Sequence, residues 1–497
     1  MRKTIAIFVV GFGCVLTGCT VGPKYHPPAI TPPPAYKESP ENFKENIPWT
    51  VAQPQDSKLR GDWWTIFNDP ELNALEGQLN IDNQNIKVFF ENFMEARAIV
   101  GEERALYYPT LSTAPAFSRQ KSSGNLVASS NANTGRQSQV YSLPFDAAWS
   151  PDLWGRVRNA VHAAQYSAQL SAADLENERL TEQSALASFF FEIRGQDALI
   201  SLFAETAAQD QKALDLTQAQ YDTGVGAYIS VVQAKNTLES VQAQETNLRV
   251  SRAQFEHAIA VLIGKGPSEF SIPVRPLTTA PPPIPLGMPS QLLERRPDVA
   301  AAERNMANAN AQIGVAQAAF YPNLTLTAVG GTQSSLLTHL LDWPSRFWSL
   351  GGSLSQPLFQ VGLTAARSQF AALYNANVAT YRQTVLTAFQ QVEDSLAATR
   401  ILSSQIEQQK QVVATSQEAL DLEMSRYESG VDPYIDVVTL QNTLLTNRQT
   451  LTSLQITEMT SAITLVQALG GGWDRSQLPT PAEVSQTPSK ADMAIQH

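Results

Sequence analysis

Residues 213–238, ALDLTQAQYDTGVGAYISVVQAKNTL, recur at 419–444 as ALDLEMSRYESGVDPYIDVVTLQNTL. The offset is 206 with no gap, and 14 of 26 positions are identical, so the chain carries one structural unit twice. Each copy is a long run without Gly or Pro, then Tyr-x-x-Gly-Val (Tyr221, Gly224, Val225; Tyr427, Gly430, Val431), then a second long run. This predicts two long helices joined by a tight turn, with Gly at the position that needs positive φ. A unit of this size seen twice indicates an internally duplicated domain rather than a solenoid, which stacks three or more short repeats.

The rest of the chain follows the same plan on both sides of a Pro-rich divider. Residues 63–264 form the first repeat. It has a helix ending at Tyr107-Tyr108-Pro109, a β-hairpin over 110–150 and a long helical hairpin over 156–263. Residues 265–297 hold nine Pro and separate the halves. Residues 298–470 repeat the order, with a helix ending at Phe320-Tyr321-Pro322, a β-hairpin over 323–358 and a helical hairpin over 363–469. Residues 156–223 contain only Gly195 and no Pro, and 363–429 contain neither. At 1.5 Å per residue each makes a helix of about 100 Å, which needs helical neighbours of equal length. The strand signal is clearest at Tyr141, Leu143, Phe145, Ala147 and Trp149, which alternate with smaller or polar residues. Residues 111–118 read as a weaker partner, and 121–138 as a long exposed loop. Pro144 stands on the polar side, an awkward place inside a ladder. Residues 471–497 read as a flexible tail.

The N-terminus carries an export signal. Arg2 and Lys3 precede an apolar run, Ile5 to Leu16, too short to span a bilayer and placed as in a secretory signal over 1–18. It ends Leu16-Thr17-Gly18-Cys19, which resembles a bacterial lipobox and implies cleavage before Cys19 and lipidation there. In lipoproteins an Asp after that Cys commonly holds the protein in the inner membrane, so Thr20 points to the outer membrane. Residues 19–62, with nine Pro after Cys19, read as an extended N-terminal linker. The other cysteine, Cys14, lies in the signal, so the body has no disulfide or Cys-based metal site. A net charge of −11 leaves no basic stripe for nucleic acid. No nucleophile or His–carboxylate constellation stands out, so neither enzyme activity nor a cofactor is expected. Glu294-Arg295-Arg296 reads as a structural turn with ion pairs.

Four strands cannot close a membrane-spanning sheet, and the smallest known barrels use eight. If these strands cross the outer membrane, several chains share one barrel. Tyr141, Phe145, Trp149 and Trp348 then suit lipid contact or an interfacial girdle. A soluble hairpin, on a lipid-anchored periplasmic scaffold of helices without a pore, is the alternative that the residues alone leave open.

The whole chain resembles the TolC-like outer-membrane efflux factors, in the lipoprotein (NodT/OprM-like) branch that serves tripartite pumps. The matching residues are Cys19-Thr20-Val21-Gly22-Pro23-Lys24-Tyr25, Trp63-Trp64 with Asp69-Pro70-Glu71-Leu72, and Asp152-Leu153-Trp154-Gly155-Arg156. Pro289-Ser290-Gln291-Leu292-Leu293-Glu294-Arg295-Arg296-Pro297-Asp298, Tyr321-Pro322 and the two Tyr-x-x-Gly turns complete the set. The resemblance implies a mainly α chain with a transmembrane β-barrel: a homotrimer with a twelve-stranded β-barrel and a trimeric α-barrel. Its implied partners are a periplasmic membrane-fusion (adaptor) protein, an inner-membrane RND-type pump and outer-membrane lipid. The function it implies is a passive duct for drugs or other small toxic compounds, with a type I protein-secretion duct as the alternative within the class. Gly224, Val225, Gly430 and Val431 fall at the expected adaptor-docking tips. Arg426, Tyr427, Asp432, Ile435, Asp436 and Thr439 fall at the expected periplasmic gate. Thr439 departs from the Asp of many relatives, and Gln220 stands where an Arg is common.

The anchor and the strands make separable demands. Cys19→Ser is expected to abolish metabolic labelling with palmitate while leaving outer-membrane insertion intact; loss of all insertion would count against a barrel.

Overall fold

The computed structural model describes residues 20–28, 32–33, 35–38, 61–121, 123, 137–284 and 292–486. Cys19, the signal, most of the loop before 137 and the end of the tail lie outside the described residues.

A 3₁₀ turn, Trp63–Phe67, leads into α1 (Pro70–Asp82). Asp69 caps α1 by accepting from the backbone N–H groups of Glu71 (3.0 Å) and Leu72 (3.3 Å), and Pro70 at the first turn needs no such partner. Asn83 interrupts the helical run and caps α2 (Gln84–Ala105) through the Ile86 N–H. After the strands come α3 (Arg156–Asp222), of 67 residues, and α4 (Tyr228–Leu262). The second half repeats this with α5 (Pro297–Ala318), two strands, α6 (Val361–Glu428), of 68 residues, and α7 (Tyr434–Ala468). Helices α4 and α7 each have 35 residues, so both hairpins have one full-length and one half-length arm.

Side by side, these helices run in the order α4, α3, α7, α6, so α3 and α7 join the halves. At mid-height the seam is an apolar core of Trp63, Leu72, Phe190, Ile193, Ile259 and Met459 with their neighbours. Burying such side chains contributes about 1.5–3 kcal/mol each. Gly195 is the one Gly in α3, and a Cβ there would meet Ile456 Cδ1 of α7 at 2.3 Å. The glycine therefore serves a close helix crossing. Beside it Arg194 is buried, pairs with Glu71 and donates to the Pro273 carbonyl at 2.7 Å. Asp197 accepts from Arg252 (2.6 Å) and the Arg275 backbone (2.8 Å), so these buried charges are compensated.

The strands form a single antiparallel sheet of β1 (Thr110–Thr113), β2 (Ala116–Lys121), β3 (Gln137–Trp149), β4 (Asn323–Ser334) and β5 (Arg346–Ser355). β1 and β2 both pair with β3, followed by β4 and β5. The sheet thus has four strand positions, the first broken at Ala114-Pro115. Pro144 stands opposite that break, where β3 has no ladder partner on that side. Its carbonyl accepts from Thr113 Oγ1 at 2.7 Å. Two prolines that look misplaced in sequence share one interruption.

Two expectations are corrected. The N-terminal extension is not wholly a linker: Asn159 and Asn310 donate to the Val21 and Pro23 carbonyls, and Tyr36 is 4% exposed among Val385, Ala388 and their neighbours. Its backbone groups find side-chain partners that a Pro count does not reveal. The tail is not loose up to residue 486: Gly470–Gly472 turn Trp473 into a buried site, and α8 (Pro481–Val484), closed by a Thr480–Glu483 capping box, buries Val484.

Gly195→Val is expected to overfill the crossing, destabilising the protein by about 1–3 kcal/mol in denaturant titrations. Adding Ile456→Ala is expected to recover part of that loss; no recovery would place the strain elsewhere.

Candidate functional site

Two regions carry functional surface: the sheet and the hairpin tips. Directly paired residues share a face of a sheet. Register puts Trp348, Gly330 and Phe145 in one row, Leu350, Ala328, Ala147 and Leu111 in the next, and Leu326 with Trp149 below. The opposite face carries Ser112, Asp146, Thr327, Ser349 and Ser353. On the apolar face Leu111, Trp348 and Leu350 are each at least 74% exposed in the single chain, and Phe145 is half exposed. Phe117 and Tyr141 pair on this face with ring centroids 4.6 Å apart. Trp149 donates from Nε1 to the Tyr107 carbonyl at 3.0 Å, so its polar end is satisfied at the lower rim. The 10–13-residue strands β3–β5 have the length of tilted membrane strands. Among the described residues, no helix is long and apolar enough to cross a membrane.

At the far end the two helical hairpins turn by the same device. In the first, the Val225 N–H reaches the Gln220 carbonyl (2.9 Å) and the Gly224 N–H the Tyr221 carbonyl (2.9 Å). In the second, Val431 reaches Arg426 (3.0 Å) and Gly430 reaches Tyr427 (2.9 Å). These are Schellman closures, and Gly224 (φ 76°) and Gly430 (φ 73°) supply the left-handed residue each requires. Val225 and Val431 lie at the tips, 83% and 64% exposed.

The tips differ in what they hold. Arg426 grips both carboxylate oxygens of Asp432, from Nε and Nη2, across the second turn. That hydrogen bond holds the Asp432 carboxyl below its usual range. Desolvation first, then the Asp432 charge, pushes neighbouring Glu423 up. The first turn has Gln220 and Gly226 at these positions and makes no such pair. Instead Gln220 Oε1 accepts from Tyr427 Oη at 2.5 Å, tying α3 to α6. Tyr427 also packs on Tyr434, whose ring is buried with Ala213 of α3 and Val437 and Val438 of α7.

Of the residues expected at the gate, Ile435, Asp436 and Thr439 share one exposed face at the start of α7, opposite Tyr434, Val437 and Val438. Thr439 donates to the Ile435 carbonyl at 2.9 Å. Asp432 precedes the helix and is engaged by Arg426. Tyr427 is separate again, directed to Gln220.

Sequence reasoning did not single out Asp210. It is 3% exposed in α3, and its Oδ2 has no hydrogen-bond partner among the described residues. Burial pushes its carboxyl up to about 6. It lies close enough to Tyr434 that its charge adds to the burial that pushes the phenol up to about 12. The signal was present in the spacing: Phe203, Asp210 and Thr217 are seven apart and all buried.

A two-faced membrane sheet on a long helical stalk defines an outer-membrane channel protein. The family model described as outer membrane efflux protein matches residues 77–265 and 288–471, one segment in each half, and the chain belongs to that family. It is similar to the toluene efflux pump outer membrane protein TtgC of Pseudomonas putida, 28% identical over 95% of this chain and 96% of that one. It is also 28% identical to the cation efflux system protein CusC of Escherichia coli, over 93% and 97% of the two chains. Among solved structures it resembles the outer-membrane channel OprN, with a TM-score of 0.83 and 26% identity over 92% of this chain and all of that one. The chain is an outer-membrane efflux channel whose helices extend into the periplasm.

Asp210 makes the α3–α7 contact pH-sensitive. Its folded pKa is raised, so the native state binds the extra proton and stability falls as pH rises from about 4 to about 6. Above that range the full penalty is present. Asp210→Asn is expected to flatten this dependence and to stabilise the protein at pH 7 by about 1–3 kcal/mol. Parallel thermal melts at pH 5 and pH 7.5 check it, and an unchanged pH dependence in the variant would contradict it.

Proposed function

We propose that three copies of this chain form the exit duct of a tripartite efflux pump. The observation that carries this reading is the pair of open edges on a sheet with an exposed apolar face. Among the described residues, the β1/β2 edge and the β5 edge have no partner within the chain. Hydrocarbon cannot satisfy them, so β5 of one copy pairs with β1/β2 of the next. Three copies of four strand positions close as a twelve-stranded barrel, a size that leaves a water-filled interior. The polar face then lines the pore and the apolar face meets lipid.

Below the barrel the four long helices of each copy stand side by side as the wall of a second, helical barrel. Cys19, lipidated, would hold the upper rim of this wall at the membrane. Thr20, the next residue, packs on Gly155 where β3 passes into α3, which supports an anchor at that level. At the lower end Ile435, Asp436 and Thr439 face the mouth, and Asp436 repeated around it favours cations. The exposed turns at Gly224-Val225 and Gly430-Val431 are the docking points for a periplasmic adaptor, and an inner-membrane RND-type pump supplies the energy. The cargo is the small toxic compounds for which the relatives' pumps are named.

The Tyr427–Gln220 bond holds the second hairpin to the first, and the Arg426–Asp432 grip fixes the shape of its turn. Arg426→Ala combined with Tyr427→Phe is expected to raise single-channel conductance in planar bilayers several-fold over the parent. Parent and variant conducting identically would remove these residues from the gate, and neither conducting at all would overturn the duct.

A further inference from the structure

Helix α7 carries a second pattern, independent of its apolar face. Thr439, Thr443, Thr446, Thr450, Ser453, Thr457, Thr460 and Thr464 alternate in steps of four and three, a strict heptad made only of hydroxyl residues. All are exposed except Thr460, which is partly so. The flanks of α7 are already taken. Toward α3 it presents Leu445, packed with Phe203, and Ile456, seated on Gly195. Toward α6 it presents Asn447, which donates to Ser416 at 2.8 Å, and Arg448, which donates to Gln417 at 2.7 Å. None of the eight hydroxyl residues belongs to either contact, so they form a third face of the helix.

That face has unusual chemistry for an exposed helix. Threonine is a poor helix former, and exposed helical positions ordinarily favour charged residues. Here all seven threonines donate to the carbonyl four residues back, at 2.8–3.2 Å. Each threonine donor is therefore occupied within the helix, leaving a methyl group and acceptor lone pairs for whatever lies outside. The only charges in α7 are Asp436 at the tip, Arg448 on the flanks and Glu458, which shares a crevice with Lys410 and Glu407 of α6. At the corresponding positions of α4, 206 residues earlier, none of the eight is charged either.

Resting on the duct reading, we infer that the hydroxyl heptad is the cargo-facing track of α7. It runs from the gate face at Ile435, Asp436 and Thr439 up the channel for about 38 Å. A surface without fixed charge and with its donors turned inward holds no ion and offers a passing molecule few groups to bind. It suits small apolar and amphiphilic compounds, which slide past methyl groups without exchanging strong hydrogen bonds. Specificity on this wall then comes from the lack of adhesion, and charge discrimination from other elements such as the Asp436 ring.

The mature chain, cleaved before Cys19, has no other cysteine, so an introduced thiol can be read alone. Thr450→Cys in the Arg426→Ala background would be recorded in planar bilayers before and after a negatively charged methanethiosulfonate reagent. The expected result is a fall in current in three steps, one per protomer, with a shift toward cation selectivity. Thr450→Val is expected to conduct as the parent does, because the hydroxyl donor it removes served only the helix. Labelling of the cysteine without any change in current or selectivity would put the stripe on the outer wall. Absence of labelling in the folded trimer would put it in a protein contact. Either result overturns the inference; Thr443→Cys repeats the test should Thr450→Cys fail to assemble. Failure of the duct reading shows differently, as no conductance before any reagent is added.

Discussion

Backbone N–H and C=O groups on the outward edges of β1, β2 and β5 have no ladder partner among the described residues of a single chain, and hydrocarbon offers none. That unmet hydrogen bonding governs the rest of the architecture. An apolar face of Trp348, Leu350, Phe145 and Leu111 draws the sheet into lipid, and the open edges then require other copies. Once copies are joined through their sheets, the helices beneath must also stand as a continuous wall. Their length follows from runs without helix breakers, and their order within each copy from the contacts of α3 with α7.

Duplication explains how one chain makes so much wall. Each half brings one helix of full length, one of half length and the same glycine-closed turn. Equivalence stops where the copies diverge. Tyr427 and Tyr434 correspond to Tyr221 and Tyr228, with ring centroids 5.3 Å apart in both pairs. Yet Tyr434 is buried against α3, while Tyr228 is 61% exposed. The second hairpin is thus packed on the first at its tip, and the first leaves its own equivalent surface free. The same asymmetry appears in charge, because Asp432 is held by Arg426 while Gly226 and Gln220 take those places in the first turn.

The repeat, the helix lengths and the two-faced strands were legible because each is a local pattern: absence of Gly and Pro, period two, or a Tyr-x-x-Gly turn. Contacts between distant segments were not. Tyr36 reads as part of a Pro-rich linker, and only the packed helices show that it fills a core. Trp473 follows three glycines, which suggests a loose tail until the glycines are seen turning it inward. At the second tip, Asp432 and Asp436 look alike in sequence, four residues apart at a helix start. A salt bridge across the turn separates them, neutralising one and leaving the other on the exposed face with Ile435. Gln220 stands where an Arg is common, and its amide oxygen accepts the Tyr427 hydroxyl.

At its tip the second hairpin is held to the first by the Tyr427–Gln220 bond and by Tyr434 packed on Ala213. Val225 and Val431, exposed at the two turns, are suited to spin labels introduced at cysteines. Pulsed electron–electron resonance on labelled protomers diluted into unlabelled trimers would give the distance between the tips within one chain. A single narrow distribution in the parent, moving longer and broader when Gln220→Ala and Tyr427→Phe remove the tie, is the predicted result. Identical distributions in the two proteins would contradict it.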